Sequence, residues 1–238
     1  DDPQWEDRDR FIMSKGHAGI AYAPVLVDKG FNDPEQLKTF NLTNSKMGIH
    51  LDSNKVIGVD ASTGSLGHGL SIALGTGLAA RVLGKDYKTY CILGDGECDE
   101  GSNWEAAMSA SHYKLKNMIS FVDRNKCMID GRTEDVMKLE PFADKWRAFG
   151  FIVKEIDGNN IAELCDAIDF ALANVNDPES DKPVMIICDT LKGCGIDFIE
   201  DNYLWHYGAF DDEKYAKAKE ALKNSYAKRV ARAEKEGK

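Results

Sequence analysis

Residues 87–125 read YKTYCILGDGECDEGSNWEAAMSASHYKLKNMISFVDRN, and the alternation within them indicates the architecture. Residues 87–93 and 118–122 are short apolar runs rich in strand formers, each followed by small or polar residues. Residues 103–115, between the two runs, have the composition of a helix. A strand, a helix and a second strand in succession predict two parallel strands joined by a crossover helix.

The same alternation continues along the chain. Residues 151–156 and 184–188 are predicted strands, and 161–175 repeats Ile and Leu at the three- and four-residue steps of a helix. Strands that are apolar on both faces indicate a sheet that is covered on both sides. We therefore predict an α/β fold, with a mostly parallel central sheet and helices on both faces.

Glycines crowd residues 58–77 ahead of an apolar helical stretch, and no repeat or low-complexity linker divides the chain. Residues 1–238 are therefore expected to form a single domain. Within it we predict an irregular segment near 28–57 and a helical C-terminal tail near 211–238.

The composition disfavours several classes of protein. The 238 residues are 43% hydrophobic and carry a formal net charge of −10, which disfavours nonspecific binding to nucleic acid or to an anionic membrane. No stretch approaches the roughly 18 apolar residues that cross a bilayer, and the acidic start does not resemble a secretory signal. The six cysteines form no C-x-x-C pair, so reduced thiols in a cytosol are expected.

Polar residues follow two of the predicted strands and suggest a metal and phosphate site. Gly94-Asp95-Gly96-Glu97 follows one strand, and Asn125 follows the next. Because parallel strands joined by one crossover helix open at the same edge of a sheet, both loops are expected there. The oxygens of Asp95 and Asn125, together with a main-chain carbonyl and ligand phosphates, suit an octahedral Mg²⁺. From these residues alone, a plain Gly-Asp-Gly turn beside an unrelated asparagine remains the alternative.

Four of the five histidines lie in glycine-containing or polar loop contexts: His17, His50, His68 and His206. His112 falls in a predicted helix and is expected to be structural. A lone histidine usually has a structural role, whereas four in the loops of an acidic protein indicate a site that handles phosphates and proton transfers.

Six motifs in the right order resemble those of the transketolase family. They are DRFIMSKGHA at 9–18, GVDASTGSLGHG at 58–69, GDGECDEG at 94–101, DRNKCMIDG at 123–131, DKWRAFG at 144–150 and TLKGCG at 190–195. The third and fourth resemble the two halves of the family's thiamine diphosphate motif. The similarity covers essentially residues 5–215. The chain length and the WEDRDR start resemble the N-terminal, diphosphate-binding subunit of a split transketolase, which some bacteria and archaea encode as two chains.

The resemblance implies the ligands of the metal and the diphosphate. Asp95, Asn125 and the main-chain carbonyl of Cys127 would hold Mg²⁺, with Ca²⁺ or Mn²⁺ as substitutes, and the metal would bind the diphosphate. Gly96 would contact the diphosphate through its main chain.

The resemblance also implies the roles of three histidines. His17 and His206 would lie near the diphosphate or the thiazolium, and His50 would hydrogen-bond the sugar near its reacting carbons. Residues 207–210 depart from the family's usual His-Gly-Lys-Ala-Pro pattern, so the register at His206 rests on a weaker match.

The other end of the cofactor involves the glycine-rich motif. Gly64, Ser65 and Leu66 would line the aminopyrimidine, and His68 replaces a common Gln. Glu100 aligns with a family glutamate at the cofactor interface and would, with the three histidines, complete the catalytic set.

The implied activity transfers a two-carbon ketol unit from a ketose phosphate to an aldose phosphate through a thiamine diphosphate carbanion, in the cytoplasm and within the pentose phosphate pathway. The family's glutamate that activates the aminopyrimidine lies in a second domain, so a C-terminal transketolase subunit is the expected partner, with two copies of each subunit. Two alternatives stay open: a non-catalytic or regulatory thiamine diphosphate-binding protein, and a related enzyme such as 1-deoxyxylulose phosphate synthase.

Overall fold

The computed structural model describes residues 2–236, in which five strands form one parallel sheet. In chain order the strands are β1 (Arg10–Met13), β2 (Thr89–Gly94), β3 (Met118–Arg124), β4 (Cys127–Met128), β5 (Gly131–Arg132), β6 (Ile152–Asp157) and β7 (Val184–Asp189). The α-helices are α1 (Gly19–Asp28), α2 (Gly69–Leu83), α3 (Gly101–His112), α4 (Thr133–Val136), α5 (Phe142–Ala148), α6 (Ile161–Asn176) and α7 (Asp212–Glu236).

The sheet has the order β1-β2-β3-β7-β6, and every adjacent pair is parallel. β4 and β5 form a separate antiparallel hairpin just beyond the end of β3. The predicted α/β fold with a mostly parallel sheet is therefore confirmed.

One face of the sheet is covered by α2, α3 and α5. Leu70, Ala107 and Trp146 from these three helices belong to one buried cluster with Cys91 of β2 and Val122 of β3. Ala106, Ala107 and Ala110 of α3 are also buried in this cluster, so small side chains of α3 contribute to the packing of this layer.

The opposite face is covered by α6. Ala167 and Ala171 of this helix are buried against Ile119 of β3 and Ile186 of β7. Helices on both faces explain why β3 and β7 read as nearly continuous apolar runs rather than as alternating ones.

The connection between α1 and α2 contains no strand and no α-helix, only the short 3-10 helix Pro34–Thr39. It is nevertheless packed, since Met47, Leu51 and Val56 are buried against Leu26 of α1. The irregular segment is thus longer than predicted, and it contributes its own part of the core.

The short elements β1 and α5 have no signal in the sequence pattern. β1 has four residues and α5 has seven, which is too few for a periodic pattern. β1 is a strand because it pairs with β2, from Arg10 opposite Thr89 onward.

A helix occupies most of the predicted tail, as α7, and residues 237–238 of that prediction lie outside the described residues. That residues 1–238 form a single domain stays a prediction. No helix in residues 2–236 combines the length and the apolar character needed to span a membrane. All six cysteines, each within the described range, are free.

Candidate functional site

The carboxyl ends of four neighbouring strands meet at one edge of the sheet. Met13 pairs with Ile92, Gly94 with Asp123, and Arg124 with Asp189, so β1, β2, β3 and β7 end at similar heights. The loops that follow these strands therefore open side by side, and they contain most of the predicted site residues.

The loop after β1 packs directly on the glycine-rich loop. Gly16 begins a short 3-10 helix that carries His17, and a Cβ atom at Gly16 would lie 2.5 Å from the carbonyl oxygen of Thr63. A Cβ atom at Gly64 would lie 3.2 Å from Cδ2 of His50, so that imidazole lies against this glycine. The fold thus brings His17, His50 and Gly64, which are distant in the sequence, into one site.

His206 joins this group from the segment after β7. Its ring centre lies 5.5 Å from that of His17, and its Nδ1 lies 3.4 Å from Nζ of Lys192. Asn202 caps the 3-10 helix Tyr203–His206 by accepting from the amide of Leu204, which orients this segment.

Burial, more than the neighbouring cations, lowers the pKa of the basic groups of this site. Burial, with smaller contributions from Lys192 and His17, lowers the pKa of His206 to about 4. Burial also lowers the pKa of His17, with contributions from Lys15 and His50, and burial lowers the pKa of Lys192. The two histidines are therefore neutral near pH 7, in a pocket that favours an anion.

The predicted metal ligands come together at the ends of β2 and β3. Asp95, which is 1% exposed, accepts from the amides of Gly96 at 2.8 Å and Lys126 at 2.6 Å. Oδ1 of Asn125 accepts from the amide of Cys127 at 3.0 Å. The two halves of the motif are therefore joined by a hydrogen bond from the main-chain amide of Lys126 to the side chain of Asp95.

Arg124 is a buried cation beside this pair. Its guanidinium lies 3.2 Å from Oδ2 of Asp95 and also reaches Glu134 at 3.1 Å and Glu140 at 2.9 Å. It packs 5.1 Å from the ring centre of Phe142. Burial nevertheless raises the pKa of Asp95 above its ordinary value, against the effect of the hydrogen bonds and of Arg124.

Asp123 connects the two groups of site residues. Its carboxylate forms an ion pair with Lys15 and accepts from the hydroxyl of Thr190 and from Nδ2 of Asn125. Burial by itself raises the pKa of Asp123, but Lys15 and these hydrogen bonds outweigh it and hold that pKa below its ordinary value.

Glu100 lies at the start of α3, beside the glycine-rich loop. A Cβ atom at Gly67 would lie 2.5 Å from Cβ of Glu100, which is exposed. Ser65 is also exposed and Leu66 is half-buried. These residues form a part of the loop cluster separate from the histidines.

The two remaining histidines have no contact with this group among the described residues. His68 is exposed where α2 begins, and His112 ends α3 with its ring 5.0 Å from that of Tyr113. In contrast, Lys15, Asp123 and Lys192 belong to the site, although their residue types and spacing predict no role. Only their positions inside three of the family motifs indicate that they lie near the site.

Residues 1–234 match the family described as the transketolase, thiamine diphosphate binding domain. The chain is 40% identical over 235 residues to the 6-deoxy-6-sulfo-D-fructose transketolase subunit SqwG of Clostridium sp. (strain MSTE9), covering 99% of this chain and 80% of that protein. It is 39% identical over 218 residues to one of the apulose-4-phosphate transketolase subunits of Actinobacillus succinogenes, covering 92% of this chain and 77% of that protein.

A solved transketolase structure has the same fold as this chain. The crystal structure of transketolase from Campylobacter jejuni superposes with a TM-score of 0.85 at 32% identity. That match covers 93% of this chain and 35% of the other, so this chain spans about a third of the length of that transketolase. The fold, the motifs and these likenesses agree, and the chain belongs to the transketolase family, of which it contains the thiamine diphosphate binding domain.

Proposed function

We propose that this chain is the diphosphate-binding subunit of a transketolase, which transfers a two-carbon ketol unit from a ketose phosphate to an aldose phosphate. The observation that carries the proposal is the group formed by His17, His206 and Lys192, connected through Lys15 and Asp123 to the metal-ligand motif. Membership of the family and the subunit names of two relatives support it.

The basic groups fit a diphosphate. Lys15 is already paired with Asp123, whereas burial lowers the pKa of Lys192, His17 and His206, with a smaller contribution from Lys192 at both histidines. An anionic diphosphate among these three side chains would stabilise the charged form of Lys192, and each of them has a nitrogen that can donate to a phosphate oxygen.

The oxygen donors fit Mg²⁺. Asp95 and Asn125 would be its side-chain ligands and the main-chain carbonyl of Cys127 a third, with diphosphate oxygens and water completing the shell. Within residues 2–236, no group of three or more His, Cys, Asp or Glu side chains is arranged to hold a metal. The proposed set contains one carboxylate, one amide and one carbonyl, so it does not depend on such a group. The main chain of Gly96 adjoins the same turn and would contact the diphosphate.

Thiamine diphosphate, when bound, supplies an acidic carbon that adds to a ketose carbonyl and accepts the electrons of the broken carbon–carbon bond. The chain's own residues bind, orient and exchange protons. His17 and His206, neutral near pH 7 because their pKa values are lowered, can accept a proton from a sugar hydroxyl and return it. His50 lies beside Gly64 and is exposed, so it can hydrogen-bond the sugar. Glu100 is also exposed and can contact the cofactor at the subunit interface.

A partner subunit would cover this edge of the sheet. Several large apolar side chains near the site are exposed, among them Ile129, Met137, Leu204 and Tyr207. Apolar residues grouped beside a polar site favour a protein partner. We propose the C-terminal transketolase subunit, which supplies the glutamate for the aminopyrimidine, in an assembly of two copies of each chain. The six free cysteines support a cytoplasmic location for this assembly.

Reconstitution tests the proposal. The chain is purified alone and together with a candidate C-terminal subunit of roughly 300 residues, as expected for a second domain pair. Ketol transfer between a ketose phosphate and an aldose phosphate is then measured with thiamine diphosphate and Mg²⁺. We expect negligible turnover from the chain alone and full turnover at equal amounts of both. Substantial turnover from the chain alone, free of host enzyme, would contradict the subunit proposal, and failure of the assembly to bind thiamine diphosphate would contradict the function.

A further inference from the structure

One buried carboxylate connects three of the loops that form the candidate site. Glu97 is 3% exposed and lies in the short 3-10 helix Gly96–Asp99, directly after β2. Its Oε1 accepts from the hydroxyl of Ser14 and from the amide of Gly67 at 3.0 Å. Its Oε2 accepts from the amide of Gly94 at 3.0 Å.

Each donor belongs to a loop with proposed cofactor ligands. Ser14 begins the loop that holds His17, Gly67 ends the glycine-rich loop, and Gly94 immediately precedes Asp95. These three segments are far apart in the sequence, so a single side chain determines how closely they approach one another.

The loops are packed too closely to move independently. A Cβ atom at Gly69 would lie 2.2 Å from Oγ of Ser14, and one at Gly67 would lie 2.5 Å from Oγ of Ser102. Gly67 also has a φ of 85°, a conformation that side-chain-bearing residues rarely adopt. A shift of one loop would therefore displace the others.

Glu97 is itself held in place by α3. Its main-chain carbonyl accepts from Nδ2 of Asn103 at 2.7 Å, and Asn103 is fully buried. Ser102 donates to the carbonyl of Gly67 at 2.9 Å, so α3 contacts both ends of the Glu97–Gly67 connection. The main chain of Glu97 is thus held by α3, so its carboxylate keeps the loops in defined positions.

The partners of Glu97 identify the kind of role it has. They are two main-chain amides and one hydroxyl, all neutral, and the side chain is too buried to touch a substrate. A buried carboxylate is costly unless its hydrogen bonds compensate the loss of hydration, and here both oxygens are used. Glu97 therefore acts by setting the positions of these loops, not by touching a ligand.

We propose that Glu97 is a positioning residue, which holds the His17 loop, the glycine-rich loop and the Asp95 turn at the spacing that thiamine diphosphate requires. The affinity of the site for this cofactor then depends on a residue that does not touch it. The inference rests on the proposed function, because it assumes that these loops bind that cofactor.

The variant Glu97→Gln tests this role. Gln has nearly the same shape but one acceptor oxygen in place of two, so its amide group must face either Gly94 or the Ser14 and Gly67 donors. The dissociation constant of thiamine diphosphate is measured by isothermal titration calorimetry at saturating Mg²⁺, on the chain assembled with its C-terminal subunit. We expect it to rise by at least about tenfold, since one amide loses a charged acceptor.

Glu163→Gln is the matched control. Glu163 is a half-buried carboxylate at the start of α6, which accepts from the amide of Asp157 at 2.9 Å and from Nδ2 of Asn160 at 3.0 Å and lies outside the loops with proposed cofactor ligands. This variant should lose stability to a similar extent in urea unfolding and keep the wild-type affinity for the cofactor. A purely structural role for Glu97 predicts the same behaviour for both variants.

The outcomes are distinct. If the wild-type assembly binds thiamine diphosphate and Glu97→Gln binds it equally well, the positioning role is wrong and the proposed function stands. If the wild-type assembly itself does not bind, the proposed function is wrong. If Glu97→Gln does not fold, Ser14→Ala removes one donor and leaves both amides in place. It should weaken binding about threefold or more, and an unchanged affinity would contradict the inference.

Discussion

Replacing Asp95 by Asn tests the metal assignment with a change of one atom. In the free protein, Oδ1 of Asp95 accepts from Gly96, and Oδ2 accepts from Lys126 and Arg124. An asparagine has one acceptor oxygen, so its amide group must face one of these donors. A donor in a part-buried contact is then left without its partner.

The size of the effect follows from these contacts. A buried donor left without an acceptor costs about 1–3 kcal/mol, so the free energy of unfolding of Asp95→Asn should fall by that amount. Loss of the negative charge also weakens the bond to a hard dication, since Mg²⁺ in proteins is bound through carboxylate oxygens. We expect the Mg²⁺-dependent affinity for thiamine diphosphate to fall by more than about tenfold, which is about 1.4 kcal/mol.

The assay combines two measurements and one control. Urea unfolding of the free chain reports stability, and calorimetric titration of the assembled enzyme with thiamine diphosphate, over a series of Mg²⁺ concentrations, reports binding. Asp99→Asn is the control, because Asp99 ends the 3-10 helix that Asp95 caps, but is exposed. Equal cofactor affinities for Asp95→Asn and Asp99→Asn would refute the assignment of Asp95 to the metal.

Three further predictions concern the basic residues. Ala at His17, His50 or His206 should lower turnover of the assembled enzyme by about a hundredfold or more. The control His112→Ala should keep wild-type turnover. Wild-type turnover in two of the first three variants would contradict the proposed site. Because burial lowers the pKa of His206 to about 4 from 6.5, the unfolded chain binds a proton that the folded chain excludes. Stability of the free chain should therefore be greatest above pH 6.5 and decrease as the pH falls towards 4, and His206→Gln should flatten that decrease in urea midpoints. An equally steep decrease of stability with falling pH in His206→Gln would contradict the assignment of this pH dependence to His206. Lys192→Ala should weaken thiamine diphosphate binding by about tenfold or more, with a smaller dependence on salt, while Ala at an exposed lysine of α7 leaves binding unchanged. Equal affinity in calorimetry would exclude Lys192 from the diphosphate site.

Local patterns predicted the central part of the fold correctly. β2, β3 and β7 contain short apolar runs bounded by polar or glycine residues, β6 begins with the β-branched pair Ile152 and Val153, and α6 has a regular helical period. These patterns depend only on residues that are close in the sequence, so they can be recognised without the structure. β1 and α5 are too short to carry such a signal, and contacts with the sheet decide their structure.

Part of the candidate site was predictable for the same reason. Residues directly after parallel strands must lie at one edge of the sheet, so Asp95 and Asn125 were expected to be neighbours. In the structure, the amide of Lys126, the residue after Asn125, donates to the carboxylate of Asp95. The motifs of the transketolase family added His17, His50 and His206, and the geometry brings His17 near His206 and His50 near the glycine-rich loop.

The sequence by itself determined the alternation of β2, β3, β6 and β7 with α3 and α6, the edge of the sheet at which the site lies and the family to which the chain belongs. Each of these depends on local periodicity or on short contiguous motifs. Only the tertiary structure decided which charges meet. Lys15 pairs with Asp123, Lys192 lies beside His206, and Glu97 joins loops at Ser14, Gly67 and Gly94. Such pairs are separated by many residues, and their electrostatic effect depends on burial and on distances of a few ångströms, which no linear pattern contains.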